Sequence, residues 1–373
     1  MTKLGTAFSA LADSGEAARA LIEELRGQDP RAVVFFAGIK QDGRLLGEAI
    51  SAAFPKACVL GCSSDGEFSE KGFGKGGASA IALGPQMVGR CAAEMVDTSG
   101  DISKAMMEAG GRLSSKLGQN IRALDPSQYA ALVLVEGAKG REERINEALG
   151  DMAPFLPFVG GSAGDDVTFS STWAFADGKY LADGTALLVA EMLVPFRVLK
   201  TCSARPMDAK VSVTKCDPSR RLILELNGEP AARHYAKLLG TTQEELVFSH
   251  FVRHPLGLII DGEPWLRSVL KAVDTALMMA CAVVEGAELN LMRTTDIVTD
   301  TRAALVEARE ALGGPVSGAI LFNCAYRMLE ASMDGREREY HQLLSSIVHA
   351  GMHTNGESYL GHINHTLTGL VFG

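Results

Sequence analysis

The first half of the chain alternates short, wholly apolar runs with stretches whose hydrophobic positions recur at helical spacing. Residues 33–36 predict a strand ending at Gly38, residues 44–54 a helix stopped by Pro55, and residues 58–60 a second strand that runs into GCSSDGEF. The same order returns at 132–135, at 142–152 before Pro154, and at 155–159, which runs into GGSAGDDV. Runs apolar at every position predict strands buried on both faces, as in parallel sheets with crossover helices. Further strands are predicted at 77–84 and 184–192, and a hairpin at 173–181 turning at Asp177-Gly178. An amphipathic helix is expected over 14–25.

The two copies superpose by a shift of 99 residues without a gap, 32–68 on 131–167. Ala32, Gly38, Lys40, Glu48, Pro55, Gly61 and Ser63 meet Ala131, Gly137, Lys139, Glu147, Pro154, Gly160 and Ser162. Two small-residue loops therefore close equivalent strands at equivalent ends. Open α/β sheets place ligands there, because free backbone N–H groups face a crevice. The plainer reading, two tight turns needing glycine for their backbone, stands beside it. The second loop contains G-x-S-x-G, the spacing of a hydrolase nucleophile elbow. The first loop lacks the final glycine, and the second continues into DDVTFSSTWAF instead of a helix, which an elbow requires. Ser162 is expected as a hydrogen-bonding loop residue, with a serine hydrolase as the alternative.

Beyond residue 217 the pattern changes. Asn227-Gly228 marks a turn, Pro230 opens a short helix to Leu239, and several strands with glycine turns follow. Residues 299–314 predict a helix with Asp300 as its cap. Residues 318–330 read as an apolar strand breaking into an arginine-bearing helix, which continues to about Val348. This order echoes the two earlier copies without their identities. The expectation is an α/β protein: a helical segment over 1–30, a domain of duplicated strand-helix-strand units with buried sheets over 31–217, and a mixed α+β domain over 218–373.

The net charge of −9 and the lack of any Lys/Arg-dense segment argue against nucleic acid and against an anionic membrane surface. The N-terminus carries acidic residues through its apolar stretch, unlike a signal peptide. Seven scattered cysteines without C-x-x-C predict reduced thiols and a cytoplasmic setting.

Candidate ligand-binding residues follow from the loop ends. Ser63, Ser64 and Asp65 offer hydroxyls and a carboxylate, and Ser162, Asp165 and Asp166 offer the same chemistry from the second copy. Asn323 and Arg327 lie just past a buried strand, where the Arg327 fork suits both oxygens of a carboxylate. Its other reading is an internal salt bridge. Glu357, in the turn TNGES, suits an amine. Acids and an arginine around one cleft point to an amino acid or similar zwitterion. All eight histidines follow residue 230, and the pairs His250/His254, His349/His353 and His362/His365 have ligand-like spacing. A metal site needs three or four converging ligands, so hydrogen-bonded histidines are expected instead.

From about Arg31 onward the chain resembles the FIST family of prokaryotic sensory domains. GCSSDGEF and VGGSAGDD resemble its first domain. NGEPAARHYAKLLG, HPLGL, LFNCAYRMLE and TNGESYLGHINHTLTGLVFG resemble its second. The resemblance implies recognition of a small ligand and a signal passed to a separate partner, such as a histidine kinase or a cyclic-dinucleotide enzyme, since no output domain is expected in this chain. One stand-alone branch binds haem and senses nitric oxide. Here such a haem b would be non-covalent, since C-x-x-C-H is absent, with His234 and then His254 as candidate axial ligands.

Overall fold

The computed structural model describes residues 4–373. Two strands of each predicted pair lie parallel, in register Ala32↔Cys58 to Gly38↔Ser64 and Ala131↔Phe158 to Val135↔Ser162. A third parallel pair, Gly318–Cys324 with His349–Thr354, turns the echo in the second half into a full third unit. Each unit follows one order: edge strand, helix, strand, one or two helices, parallel strand, hairpin, antiparallel return strand.

In the first unit the edge strand is Leu4–Ser9, the helices are Ser14–Glu24 and Gly43–Ala53, and the return strand is Ala78–Leu83. The first thirty residues thus hold a strand as well as the expected helix. The second unit uses Val88–Val96, Ile102–Leu117, Glu142–Met152 and Thr185–Met192 in the same roles. The third uses Phe196–Cys202, Ile297–Leu312, the pair Ala325–Met333 and Glu337–Leu344, and Thr366–Phe372. Asp296, not Asp300, caps the helix Ile297–Leu312, accepting from Val298 and Thr299 N–H. Asp300 lies a turn inside it and accepts from the Thr295 hydroxyl instead.

The hairpins leave their own units. Glu67–Ser69 of the first pairs with His349–Thr354 of the third, Trp173–Ala176 of the second with Cys58–Ser64 of the first, and Glu357–Tyr359 of the third with Phe158–Ser162 of the second. The exchange is cyclic, and it locks the three sheets together. The first copy therefore has a hairpin of its own, like the one expected only in the second.

This packing explains the unbroken apolar runs. Val34, Phe36, Leu132, Leu134, Ile320 and Phe322 point into one core shared by all three sheets. Their neighbours Val33 and Phe35, Val133 and Val135, and Ala319 and Leu321 point outward beneath each unit's own helices. Alternate residues of one strand thus fill different cores, and no position is left for a polar face.

Between the edge strand and first helix of the third unit the chain departs into a separate sheet with its own core around Val211, Ile223, Tyr235 and Leu291. It leaves at Ala204 and returns at Thr294, which pair with each other. The Thr295 N–H donates to the Ser203 carbonyl (2.9 Å) and closes the neck. The junction at 217/218 falls inside this sheet, where Asp217 ends the strand Ala204–Asp217. Among the described residues no helix is long and apolar enough to cross a membrane.

Candidate functional site

The three loops that follow the second parallel strands meet in a ring. Asp65 N–H donates to the His353 carbonyl (3.0 Å), Gly164 N–H to the Ser63 carbonyl (3.0 Å), and Asn355 N–H to the Ser162 carbonyl (3.2 Å). Approach is so close that a Cβ on Gly164 would stand 2.4 Å from the Asp65 nitrogen. The twin serine loops thus converge, as the ligand reading requires, but Ser63 and Ser162 themselves are fully buried.

The first and third loops repeat one local design, Ser64-Asp65-Gly66-Glu67 and Thr354-Asn355-Gly356-Glu357. The Ser64 hydroxyl donates to Glu67, and the Thr354 hydroxyl to Glu357. The second oxygen of each glutamate accepts a backbone N–H ahead, Gly77 (3.0 Å) and Thr366 (3.1 Å). Burial pushes both carboxyls up to about 8, against these hydrogen bonds, so each holds its proton at neutral pH. Glu357 is thus a clasp within the third unit.

Beside the ring lies a cleft of about 370 Å³. Asp65, Phe73, Gly74 and Lys75 of the first unit form one wall, Val167 comes from the second, and His353, Ala325, Met328, Leu329, Ser332 and Glu337 come from the third. Asp65 is 2 % exposed. Its Oδ1 accepts the Val167 N–H (3.0 Å), while Oδ2 has no partner. Of the buried side-chain polar atoms left unpartnered among the described residues, Asp65 Oδ2 is the one carried by a residue of this cleft. Burial pushes its carboxyl up to about 7, with Asp165 and Asp166 adding to the shift. The Lys75 ammonium stands 3.6 Å from Asp166.

Val167 itself has φ 62°, flanked by Asp166 at 61° and, two residues on, Phe169 at 53°. A β-branched residue in the left-handed region is strained by roughly 1–3 kcal/mol. Asp165 offsets this strain by accepting from the Thr168, Phe169, Ser170 and Ser171 N–H groups. Such strain gathers at ligand clamps. Here it sets Val167 in the cleft wall.

A buried network fixes the opposite wall. Arg327 is 1 % exposed and donates to Asn323 Oδ1 (3.0 Å), Ser203 Oγ (2.8 Å) and Thr301 Oγ1 (2.9 Å). Tyr340 also donates to Asn323 Oδ1 (2.8 Å). With its oxygen so engaged, the Asn323 amide presents its NH₂ to His353 Nδ1 (3.1 Å). Nδ1 then accepts, and the ring proton resides on Nε2. Burial holds His353 well below its ordinary value, so the ring is neutral.

A model of the FIST N domain matches residues 31–229, and a model of the FIST C domain matches residues 231–359. The chain belongs to the FIST family. FIST domains are small-ligand-sensing domains of signal transduction. A comparison with curated proteins finds no match. The cleft of this FIST protein draws Asp65, Lys75 and Val167 from the first matched region and Met328 and His353 from the second.

Of the residues that the sequence nominates, Asp65 alone lines the cleft. Asp166 stands behind it through Lys75, and Asp165 holds the Val167 loop. Ser63 Oγ accepts the Trp173 N–H, and Ser64 serves Glu67. Among the described residues Ser162 Oγ has no hydrogen-bond partner, so no histidine there stands ready to take its proton, as a nucleophile needs. The Arg327 fork is engaged by the protein itself at the neck of the inserted sheet, and among the described residues no carboxylate lies within ion-pair distance of it. Its helix starts directly at the strand end, and residue 327 lies buried in its first turn.

His234 and His254 belong to the inserted sheet's region, and neither lines the cleft. His234 Nε2 meets the Asn227 amide (3.3 Å) and Nδ1 lies 3.5 Å from Glu229. His254 ends the helix Phe248–Arg253, and burial lowers its pKa. Sequence reasoning missed Phe73, Lys75, Met328 and the role of His353. One signal was available: the four-residue match of SDGE to TNGE, which joins the first loop to the third.

Proposed function

We propose that this FIST protein senses a small amino-acid-like zwitterion in the cleft beside Asp65. The unpartnered Asp65 Oδ2 carries the reading, since a buried carboxylate oxygen without a donor costs several kcal/mol unless a ligand supplies one. An ammonium group on the ligand would meet Asp65, and the ligand's carboxylate would meet Lys75 and the Nε2–H of His353. Phe73, Val167, Met328 and Leu329 would enclose an apolar side chain. The size suits the class: about 370 Å³ lies at the small end of ligand cavities. Because all three units contribute walls, occupancy would stiffen the ring that joins them. The helix Ala325–Met333 would carry the change toward the inserted sheet, which it meets through the Tyr326 hydroxyl on the Val269 carbonyl (3.1 Å). A separate signalling protein then reads that surface.

A thermal-shift panel of the twenty amino acids, small amines and small carboxylates tests this. The expected outcome is stabilisation by apolar amino acids and none by the matching amine or carboxylate alone. Stabilisation by no zwitterion, or equally by simple carboxylates, would overturn the reading.

A further inference from the structure

Away from the cleft, where the sheets of the first and second units face each other, two thiols meet. Cys58 begins the strand Cys58–Ser64, and Cys91 lies within the edge strand Val88–Val96. Their sulfurs are 3.1 Å apart, inside the contact distance of two unbonded sulfur atoms, and both side chains are only partly buried. Among the described residues the other five cysteines have no such thiol neighbour. Cys62 touches the Met352 sulfur instead, and Cys281 and Cys324 are sealed in the interior. A disulfide needs about 2.05 Å between sulfurs, so closure asks a shift of about 1 Å.

We propose that Cys58 and Cys91 form a reversible disulfide under hydroperoxide stress, stapling the first unit's sheet to the second. The local chemistry divides the roles. The hydrogen bond shared with Cys58 lowers the Cys91 pKa, aided by the nearby Arg31 charge, while the same bond and burial raise that of Cys58. In the resting pair the Cys91 S–H faces two acceptors, Cys58 Sγ (3.1 Å) and the Arg31 carbonyl (3.0 Å), so attack on an oxidant begins once Cys91 loses that proton.

The steps balance with a hydroperoxide as oxidant. The Cys91 thiolate attacks the O–O bond, which breaks. A sulfenic acid forms on Cys91, and the departing alkoxide takes a proton to become the alcohol, or water when the oxidant is hydrogen peroxide. Cys58 sulfur then attacks Cys91 sulfur, the S–S bond forms, the S–O bond breaks, and hydroxide leaves as water with the Cys58 proton. Two thiols are oxidised and one peroxide is reduced, and a dithiol reverses the change.

The test is thiol counting and peptide mapping on the whole protein after brief exposure to hydrogen peroxide. Seven titratable thiols in denaturant should fall to five. A non-reducing tryptic map should show peptide 57–71 joined to peptide 91–104, and dithiothreitol should restore both. Because peptide 57–71 also holds Cys62, the same map of the Cys58→Ser variant decides the partner. It should show no link and a Cys91 sulfenic acid that dimedone traps. Seven thiols surviving the peroxide would overturn the proposal. So would oxidation of Cys91 to sulfinic acid without a link in the unmodified protein, or a link that persists in Cys58→Ser.

Discussion

The loop that ends the first unit and the loop that ends the third share a backbone plan and differ in one functional group. Each ties a Ser or Thr hydroxyl to a buried glutamate, and each sends the N–H of its second residue to a neighbouring strand end. In the third loop that residue is Asn355, whose NH₂ donates to the carbonyls of Gly137 and Ala163, both at 3.2 Å. In the first it is Asp65, which as a carboxylate has no hydrogen to give and leaves an oxygen unpartnered at the cleft. Asn355 Oδ1 also lacks a partner, but it is neutral and lies outside the cleft. A donor closes one junction, and an acceptor leaves the other open to a ligand that carries the donor.

Exchanging the two groups should break this contrast at its strongest point. Asn355→Asp sets a carboxylate against two carbonyl oxygens and should lower stability by about 3–5 kcal/mol, read from urea denaturation. Stability within 1 kcal/mol of the parent would show that the amide does not close the junction. The reverse change, Asp65→Asn, removes a buried charge. It should leave the melting temperature equal or higher at pH 8 and weaken the thermal-shift ligand by about tenfold to a hundredfold, or about 1.4–2.8 kcal/mol in calorimetry. Unchanged affinity would place the ligand elsewhere.

The glutamates that the two loops share sharpen the comparison through pH. Glu67 and Glu357 hold protons up to about 8 in the folded protein and to about 4.3 when unfolded. Between these values the folded state binds more protons, so stability falls as pH rises and levels off above 8. The buried neutral histidines act oppositely, but only below their unfolded value of about 6.5. From pH 6.5 to 8 the carboxyls therefore dominate, with a loss on the order of 2 kcal/mol for each. Glu67→Gln and Glu357→Gln should each flatten that slope, and a slope unchanged in both would contradict the account. The smallest effect belongs to Lys75→Ala. Its ammonium is largely exposed, so binding should weaken only a few-fold, by about 0.5–1 kcal/mol.

The strands, the helices and the duplication were legible because both faces of each central strand are buried, which writes an unbroken apolar run into the sequence. That the serine loops close equivalent strands was legible through the paired glycines, while their convergence was not. The third unit was harder to read because the inserted sheet separates its edge strand from its first helix. The cleft was not legible as a whole. Hairpin exchange brings Lys75 beside His353, and no local pattern records a pairing between strands almost three hundred residues apart. Arg327 shows the converse. Its position just past a buried strand suited a grip on a ligand carboxylate, yet Ser203 at the neck of the inserted sheet and Thr301 engage its fork.

Calorimetric titration at pH 6 and pH 8 with the amino acid giving the largest thermal shift tests the central claim most directly. With the Asp65 carboxyl titrating at about 7, its ionised fraction rises about tenfold across that interval. Affinity in the unmodified protein should rise about tenfold with it, while Asp65→Asn should bind weakly and equally at both pH values. A pH-independent affinity in the unmodified protein, or the same rise in Asp65→Asn, would contradict an ammonium seated on the Asp65 carboxylate.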